Sequence, residues 1–374
     1  MRVTIRDIAE RAGVSKTAVS FAFNDPARLA KQTRERILAV AEELGYSPDP
    51  IARTLTTKRI GSIGFLLPQG ISVAFKNPFL SQIIRGLGWT CQREGFSLTI
   101  VPPLKGCIYQ AIRSAAVDGF VTLGLETEMK AVSLLQQRHI PFVTIDGDPS
   151  EEVASVNTDD RAGAYQILAH LLAIGHRRIG VLSLEAANKI DHAGFSLVRD
   201  KRLEGYAQAL KEVGLSLQDP RVRVLHCECS LGGRRGARSL LSDSTAPTAV
   251  AAMSDIITLG AHACCAVRGI RIPDQISLAG YDDIPESALV TPALTTVGQQ
   301  GVEKGKKAGE ILCSIIHEQS YEAHVLFQPR LVLRESTGPP ESKGECQGVD
   351  RSRIELTSVV SSGISRAERR PERR

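Results

Sequence analysis

TIRDIAERAGVSKTAVSFAFN, residues 4–24, reads as a helix, a tight turn and a second short helix. Thr4 suits an N-cap, and Ile5, Ile8, Ala9 and Ala12 recur on one face at helical spacing. Gly13 supplies the turn, Val14 plugs a small core and Ser15 caps the next helix. That helix turns Ala18, Val19 and Ala22 inwards and leaves Lys16, Thr17, Ser20 and Phe21 outwards. An apolar helix crossing a short one with a polar N-terminus is the helix-turn-helix layout, whose second helix enters the DNA major groove. An ordinary αα-hairpin needs the same turn, so the stretch alone leaves both readings open.

The next residues narrow the choice. KQTRERILAVAEEL, residues 31–44, forms a third amphipathic helix with Ile37, Val40, Ala41 and Leu44 inward, ended by Gly45. In YSPDPIARTL, residues 46–55, two prolines break the helix, and a short helical turn exposing Ala52 and Leu55 can follow. A leucine beside Arg53, Lys58 and Arg59 suits a wedge pressed between base pairs in the minor groove; an interdomain linker is the plainer alternative. Taken together and in this order, the three segments closely resemble the N-terminus of the LacI/GalR family of bacterial transcription regulators.

Composition points to two parts. A chain of 374 residues, 43% apolar, can build a full core plus a small extra domain. Residues 1–60 hold eleven basic and seven acidic side chains, so most of the net charge of +5 lies in the first sixth, which suits phosphate contact. No apolar run approaches the roughly 18 residues of a membrane span, and Met1–Ala9 has no apolar stretch of a secretion signal, so a cytoplasmic protein is expected. Eight cysteines are scattered without C-x-x-C or metal-ligand spacing and read as reduced, mostly buried thiols. Neither a metal nor a cofactor is expected.

From Ile60 the pattern changes. Short apolar runs at 60–68, 96–102, 118–124, 141–146, 178–183, 222–227, 249–255 and 276–283 alternate with helical patterns at 79–94, 129–137, 161–174, 201–213, 231–241, 256–268 and 301–316. Regular alternation predicts parallel sheets covered on both faces, and the strand number favours two similar α/β lobes over one sheet. Ligands of such sheets sit outside the carboxyl ends of the strands. Asp146, Ser254 with Asp255, and Asp282 each end an apolar run in this way, and two lobes would gather them into one cleft.

Further phrases resemble LacI/GalR counterparts: NPFLSQIIRGL (77–87), VNTDDRAGAYQILAHLLAIGHRRIGVLS (156–183), RLEGYAQAL (202–210), SLAGYDDI (277–284) and TPALTTV (291–297). The likeness covers roughly residues 3–337. It implies a helix-turn-helix headpiece at 1–46, a hinge at 47–59 and a two-lobed core at 60–337 similar to periplasmic sugar-binding proteins. The N-lobe is placed at about 60–161 and 299–326, the C-lobe at about 162–298 and 327–337. The polar, Ser/Arg-rich residues 338–374 read as a disordered tail without a coiled-coil heptad.

The resemblance also implies a repressor that binds a palindromic double-stranded operator as a homodimer and responds to a sugar or related metabolite between the lobes. Arg202 and Asp282 match positions that commonly hold the effector's polar groups; Asp146, the Ser254–Asp255 pair, Phe79 and Gln299 complete the candidate pocket. On the DNA side, Lys16 and Thr17 are placed at base edges or phosphates, with Thr4 and Ser20 beside them. Ser15, Thr33 and Arg34 are phosphate candidates, Thr33 as a cap-like residue opening the third helix; Ala52, Arg53 and Leu55 belong to the hinge. Phe21 stands where many relatives carry arginine or histidine, and it packs either on thymine methyls or on its own domain.

An enzyme is not expected. SLGGRRG (230–236) lacks the first glycine of a dinucleotide fingerprint, and neither a G-x-x-x-x-G-K-S/T loop nor a G-x-S-x-G elbow occurs. His176, between a helix end and a strand, reads as a capping residue rather than a catalytic one. An exported solute-binding protein would share the core, but the headpiece contradicts it.

Overall fold

The computed structural model describes residues 3–47, 59–124, 130–184, 196–227, 229–242 and 244–341. Three helices open the chain: α1 (Ile5–Ala12), α2 (Lys16–Asn24) and α3 (Lys31–Glu43). The backbone N–H and hydroxyl of Thr4 both donate to Asp7 at 2.8 Å, and Ser15 Oγ accepts from the Ala18 N–H at 3.1 Å. Gly13 makes the turn in the left-handed region, φ 66°, where a side chain would be strained. Ile8, Val19 and Ile37 are fully buried at the centre, and Phe23 meets Tyr46 ring to ring at 5.8 Å.

The core carries two parallel sheets. Its first half runs β1 (Ser62–Leu66), α4 (Ile71–Ala74), α5 (Phe79–Glu94), β2 (Ser97–Val101), α6 (Ile108–Ser114), β3 (Gly119–Leu123), α7 (Lys130–Gln137), β4 (Phe142–Ile145) and β5 (Ala154–Thr158). The second half runs α8 (Asp160–Ala173), β6 (Ile179–Leu184), α9 (Ser196–Glu212), β7 (Val222–Cys227), α10 (Ser230–Leu240), β8 (Ala249–Ala252), α11 (Asp255–Val267) and β9 (Ser277–Ala279). Then come β10 (Thr296–Gly298), α12 (Gly301–Ile316), β11 (His324–Phe327) and β12 (Arg330–Val332).

The first sheet has the order β11-β5-β4-β3-β1-β2 and the second β7-β6-β8-β9; every pairing within them is parallel. Both halves thus repeat one winding, in which the second strand lies outside the first and the third and fourth extend the other way. The chain passes between the sheets after β5, ahead of α12 and after β11. Strands β1, β3, β4 and β5 are buried along their whole length, as parallel strands covered on both faces must be. All eight strands expected from apolar runs are present. Strand β5 (ASVNT), polar at Ser155, Asn157 and Thr158, and the short β10, β11 and β12 are additional.

Helix pairs close over the sheets at backbone distance. A Cβ on Gly86 of α5 would lie 2.0 Å from the Val302 carbonyl oxygen, and one on Gly305 of α12 would lie 2.1 Å from that of Ile83. Two helices can approach this closely only where neither carries a side chain, so the glycines let α5 and α12 lie side by side on the first sheet.

Past β12 the chain closes on the second sheet through His176, which bridges elements rather than capping a helix. Its Nδ1 meets Thr248 Oγ1 at 2.8 Å, while Nε2 meets Ser277 Oγ at 3.0 Å and the Gly338 carbonyl at 2.9 Å. The carbonyl can only accept, which makes Nε2 the protonated nitrogen. Ser336 Oγ donates to the Leu278 carbonyl at 2.6 Å, and Pro340 lies against Gly175. The docked chain therefore extends to Pro340, beyond the expected start of the tail at Gly338; residues 342–374 lie outside the described ones.

Burial holds the His176 and His170 pKa values below the ordinary 6.5, so the folded chain favours neutral rings. The unfolded chain then binds more protons as pH drops through 6.5, and the stabilisation from these rings is lost in acid. The stability gap between wild type and His176→Gln, measured by urea unfolding, is expected to narrow steadily from pH 7 to pH 5.

Candidate functional site

A partly open pocket lies at the carboxyl ends of both sheets. Asn77 and Phe79 follow β1, Asp146 follows β4, and Leu184 ends β6. Met253 and Ser254 follow β8, Asp282 follows β9, Gln299 follows β10, and Val198 and Arg202 come from the first turns of α9. Parallel winding forces this convergence, because every strand of a sheet points its carboxyl end the same way.

A buried polar chain forms one wall. Lys304, fully buried on α12, donates to Asp146 at 2.5 Å and to Gln299 Oε1 at 3.0 Å. Gln299 Nε2 donates to Asp282 Oδ1 at 2.6 Å, and Ser254 Oγ donates to Asp282 Oδ2 at 2.7 Å. Arg202 Nη1 stands 4.0 Å from Asp282; the guanidinium donates through Nε to Asp160 at 2.8 Å and through Nη1 to the Met253 carbonyl. Both cations also lie over rings, Arg202 at 3.6 Å from the Tyr281 centroid and Lys304 at 5.6 Å from that of Phe79. The chain links the halves of the core, and Gln82 of α5 adds a bond to the Asp283 carbonyl at 3.0 Å.

Electrostatics follow from burial. Burial pushes the Asp282 carboxyl up to about 6, with Arg202 and the hydrogen bonds of Ser254 and Gln299 acting against it. Asp146 is likewise raised by burial, against the pull of Lys304. Burial works against the charge of Arg202, but Asp160, Tyr281 and Asp282 more than reverse it, and the guanidinium stays protonated. Four of the seven described non-glycine residues with positive φ lie at or beside the pocket: Asp146 with φ 52°, Asp282 123°, Asp283 53° and Gln300 55°.

Of the seven candidate effector residues, six line the pocket: Phe79, Asp146, Arg202, Ser254, Asp282 and Gln299. Asp255 lies behind it. Fully buried in the first turn of α11, it accepts from Thr296 at 2.6 Å, Ser287 at 2.7 Å and the Ile284 N–H at 3.1 Å, tying the 280s loop to the helix. Burial and the nearby Asp282 push its carboxyl up to about 8. Sequence reasoning missed Lys304 and Asp160. Lys304 falls on a stripe with Gly301, Gly305 and Ala308, and a lysine on a buried helix stripe is itself a sign of a carboxylate partner.

In the headpiece, Thr4, Ser15, Lys16, Thr17 and Arg34 are exposed, while Ser20, Phe21 and Thr33 are half-buried. The guanidinium of Arg28, held at 2.7 Å by Asp25, lies 5.1 Å over the Phe21 ring. Thr33 does not cap the third helix: α3 opens at Lys31 with Ala30 in the cap position, which leaves Thr33 inside the first turn. Ala52, Arg53 and Leu55 lie outside the described residues. No group of three or more His, Cys, Asp or Glu suited to a metal occurs among the described residues, and no helix there is long and apolar enough to cross a membrane. Cys91, Cys227, Cys264, Cys265 and Cys313 are buried, with the Cys265 and Cys313 thiols pushed up to about 12 by burial; Cys346 is not among the described residues.

A helix-turn-helix ahead of a two-sheet core with a cleft at its strand ends defines a ligand-sensing DNA-binding protein. Residues 4–49 match the family of bacterial regulatory proteins of the lacI type, and residues 168–337 match a periplasmic binding protein-like domain. The transcriptional regulator Rv3575c of Mycobacterium tuberculosis is 30% identical over 356 residues, spanning 91% of this chain and 98% of its own. The repressor PurR of Pasteurella multocida is 30% identical, spanning 89% and 98%. Among solved structures, the regulator CelR in complex with cellobiose is 26% identical with a TM-score of 0.65, covering 90% of this chain and all of its own. A LacI family regulator of Enterococcus faecium with bound ribose is 25% identical with a TM-score of 0.64, covering 74% and 99%. The lac repressor dimer on its operator shares the fold, with a TM-score of 0.75 at 23% identity over 90% of this chain and all of that one.

The chain belongs to the LacI family of bacterial transcriptional regulators: it is a DNA-binding regulator with a metabolite-binding core, not an enzyme.

Removing Lys304 strands Asp146 in a dry site, and breaking one partner of a buried ion pair typically costs about 3–5 kcal/mol. Lys304→Met is expected to lose stability on that scale, and Lys304→Met with Asp146→Asn to recover a large part of it, in a urea-unfolding double-mutant cycle.

Proposed function

We propose that this regulator is a repressor that acts in the cytoplasm as a homodimer on a palindromic operator. Its operator affinity is set by a sugar or related metabolite held among Phe79, Asp146, Arg202, Ser254, Asp282 and Gln299. The observation that carries this reading is the convergence of those six side chains, from both sheets, on one pocket. The cellobiose bound to CelR and the ribose bound to the Enterococcus faecium regulator support the ligand class.

The division of labour follows. Residues 1–46 read DNA, 47–59 form the hinge, and 60–337 sense the ligand, with lobes at 60–161 with 299–326 and 162–298 with 327–337. One recognition helix covers few base pairs, so a two-fold pair reads an inverted repeat. Lys16 and Thr17 face base edges; Thr4, Ser20 and Phe21 flank them; Ser15, Thr33 and Arg34 meet phosphates. Ala52, Arg53 and Leu55 enter the minor groove, where Leu55 wedges a base step. A ligand that contacts both halves of the polar chain favours one lobe arrangement over another, and the hinges follow. Coupling is reciprocal, so operator and ligand change each other's affinity by one factor.

Selection from random duplexes with the full chain is expected to return an inverted repeat bound in a salt-sensitive manner. Lys16→Ala is expected to weaken that site about tenfold or more, on the scale of a lost base contact. Leu55→Ala is expected to weaken it while leaving core unfolding unchanged. Absence of any palindromic preference would overturn the reading.

A further inference from the structure

Resting on the reading of the pocket as a metabolite site, we infer that its ligand is a hydroxylated molecule that is neutral or carries one protonated amine, and that carboxylated and phosphorylated molecules are rejected. Buried charge around the pocket is out of balance. Among the described residues, four carboxylates surround or back the pocket, Asp146, Asp160, Asp255 and Asp282, and each is more than nine-tenths buried. Two buried cations face them, Arg202 and Lys304.

Both cations are already committed. Lys304 is held by Asp146 and Gln299, and Arg202 by Asp160 and the Met253 carbonyl. Asp255 is turned away and held by its three donors. Since Arg202 pairs more closely with Asp160, Asp282 lines the pocket with only a share of a cation. Its two short partners, Ser254 and Gln299, are neutral donors, and Arg202 stands off at 4.0 Å. Among the described residues, an incoming carboxylate or phosphate would meet no uncommitted cation and would add a second buried anion beside Asp282, which a desolvated site penalises severely. A ligand ammonium supplies the missing counter-charge. Ligand hydroxyls find an acceptor in Asp282 and C–H faces find Phe79, Leu184, Val198 and Met253.

The same arrangement makes the response to pH specific. Asp282 is faced by Arg202, Asp160, Asp255 and Tyr281 from its own half and, through Gln299, by Lys304 and Asp146 from the other. Its carboxyl is pushed up to about 6, so it is ionised at pH 7.5 and largely protonated at pH 5. Affinity for an amine falls between those values, and affinity for a neutral ligand changes much less.

The test uses the full chain and calorimetry at pH 7.5 with D-glucose, D-galactose and D-mannose. Each is compared with its 2-amino-2-deoxy derivative, its uronate and its 6-phosphate. For whichever stereochemistry binds, the uronate and phosphate are expected to bind at least about tenfold more weakly than the neutral or amino member. The amino member is expected to lose several-fold in affinity at pH 5. In Asp282→Asn the neutral-to-anionic ratio is expected to fall towards one, a change that general loss of packing would not produce. Equal or tighter binding of a uronate or phosphate overturns the inference and leaves the pocket reading standing. No binding by any member of the panel overturns the pocket reading itself.

Discussion

The ion pair between Lys304 and Asp146 is the constraint around which the core is arranged. Lys304 stands on a helix packed against the first sheet, and its ammonium is out of water. It is tolerable there only because Asp146 emerges from the end of β4 in the left-handed backbone region and points at it. Gln299 extends the pair to Asp282, and Asp282 in turn orients towards Ser254 and the Arg202 fork. No member can be moved without leaving a neighbour unpaired in a low dielectric. The positions of both sheets' strand ends are therefore written into one continuous set of hydrogen bonds.

That arrangement also bears on the positive φ values of Asp146, Asp282, Asp283 and Gln300. Each is held in an unfavourable backbone region by what surrounds it: Arg334 clamps the Asp283 side chain at 2.6 Å, and Gln300 reaches the Gln328 carbonyl at 2.8 Å. A binding pocket profits from such pre-organisation, because the ligand does not have to order the side chains it meets. Asp255 serves the same end from behind, anchoring the loop that presents Asp282.

Much of this was legible in the chain, for identifiable reasons. Fully buried parallel strands are continuous apolar runs, so β1, β3, β4, β6 and β8 announced themselves, and the polar residue ending such a run is a natural ligand candidate. Strand β5 escaped because Ser155, Asn157 and Thr158 are polar yet buried, with partners that no local pattern reveals: Ser155 meets His324, and the Asn157 amide nitrogen reaches the Gly147 carbonyl. Lys304 escaped because its partner lies 158 residues away, and a lysine in KGKKAG reads as a solvated face. Asp255 and His176 were located but given the wrong surroundings. Adjacent residues such as Ser254 and Asp255 point to opposite sides of a chain that is turning into a helix, and the partners of His176 come from three distant segments.

The first sheet is discontinuous in the chain, and this bears on how the protein is made. Its edge strand β11 and its covering helix α12 are contributed by residues 301–327, long after β1 to β5. On the ribosome, the earlier strands would emerge with the face of β3, β4 and β5 beside α5 still uncovered, and the entire second half must be synthesised before α12 arrives to cover it. The headpiece, with its own small nucleus of Ile8, Val19 and Ile37, faces no such wait. Newly made chains would thus present a finished DNA-reading element ahead of a sensor that matures last, and chaperone demand should fall on the bare apolar face of β3, β4 and β5.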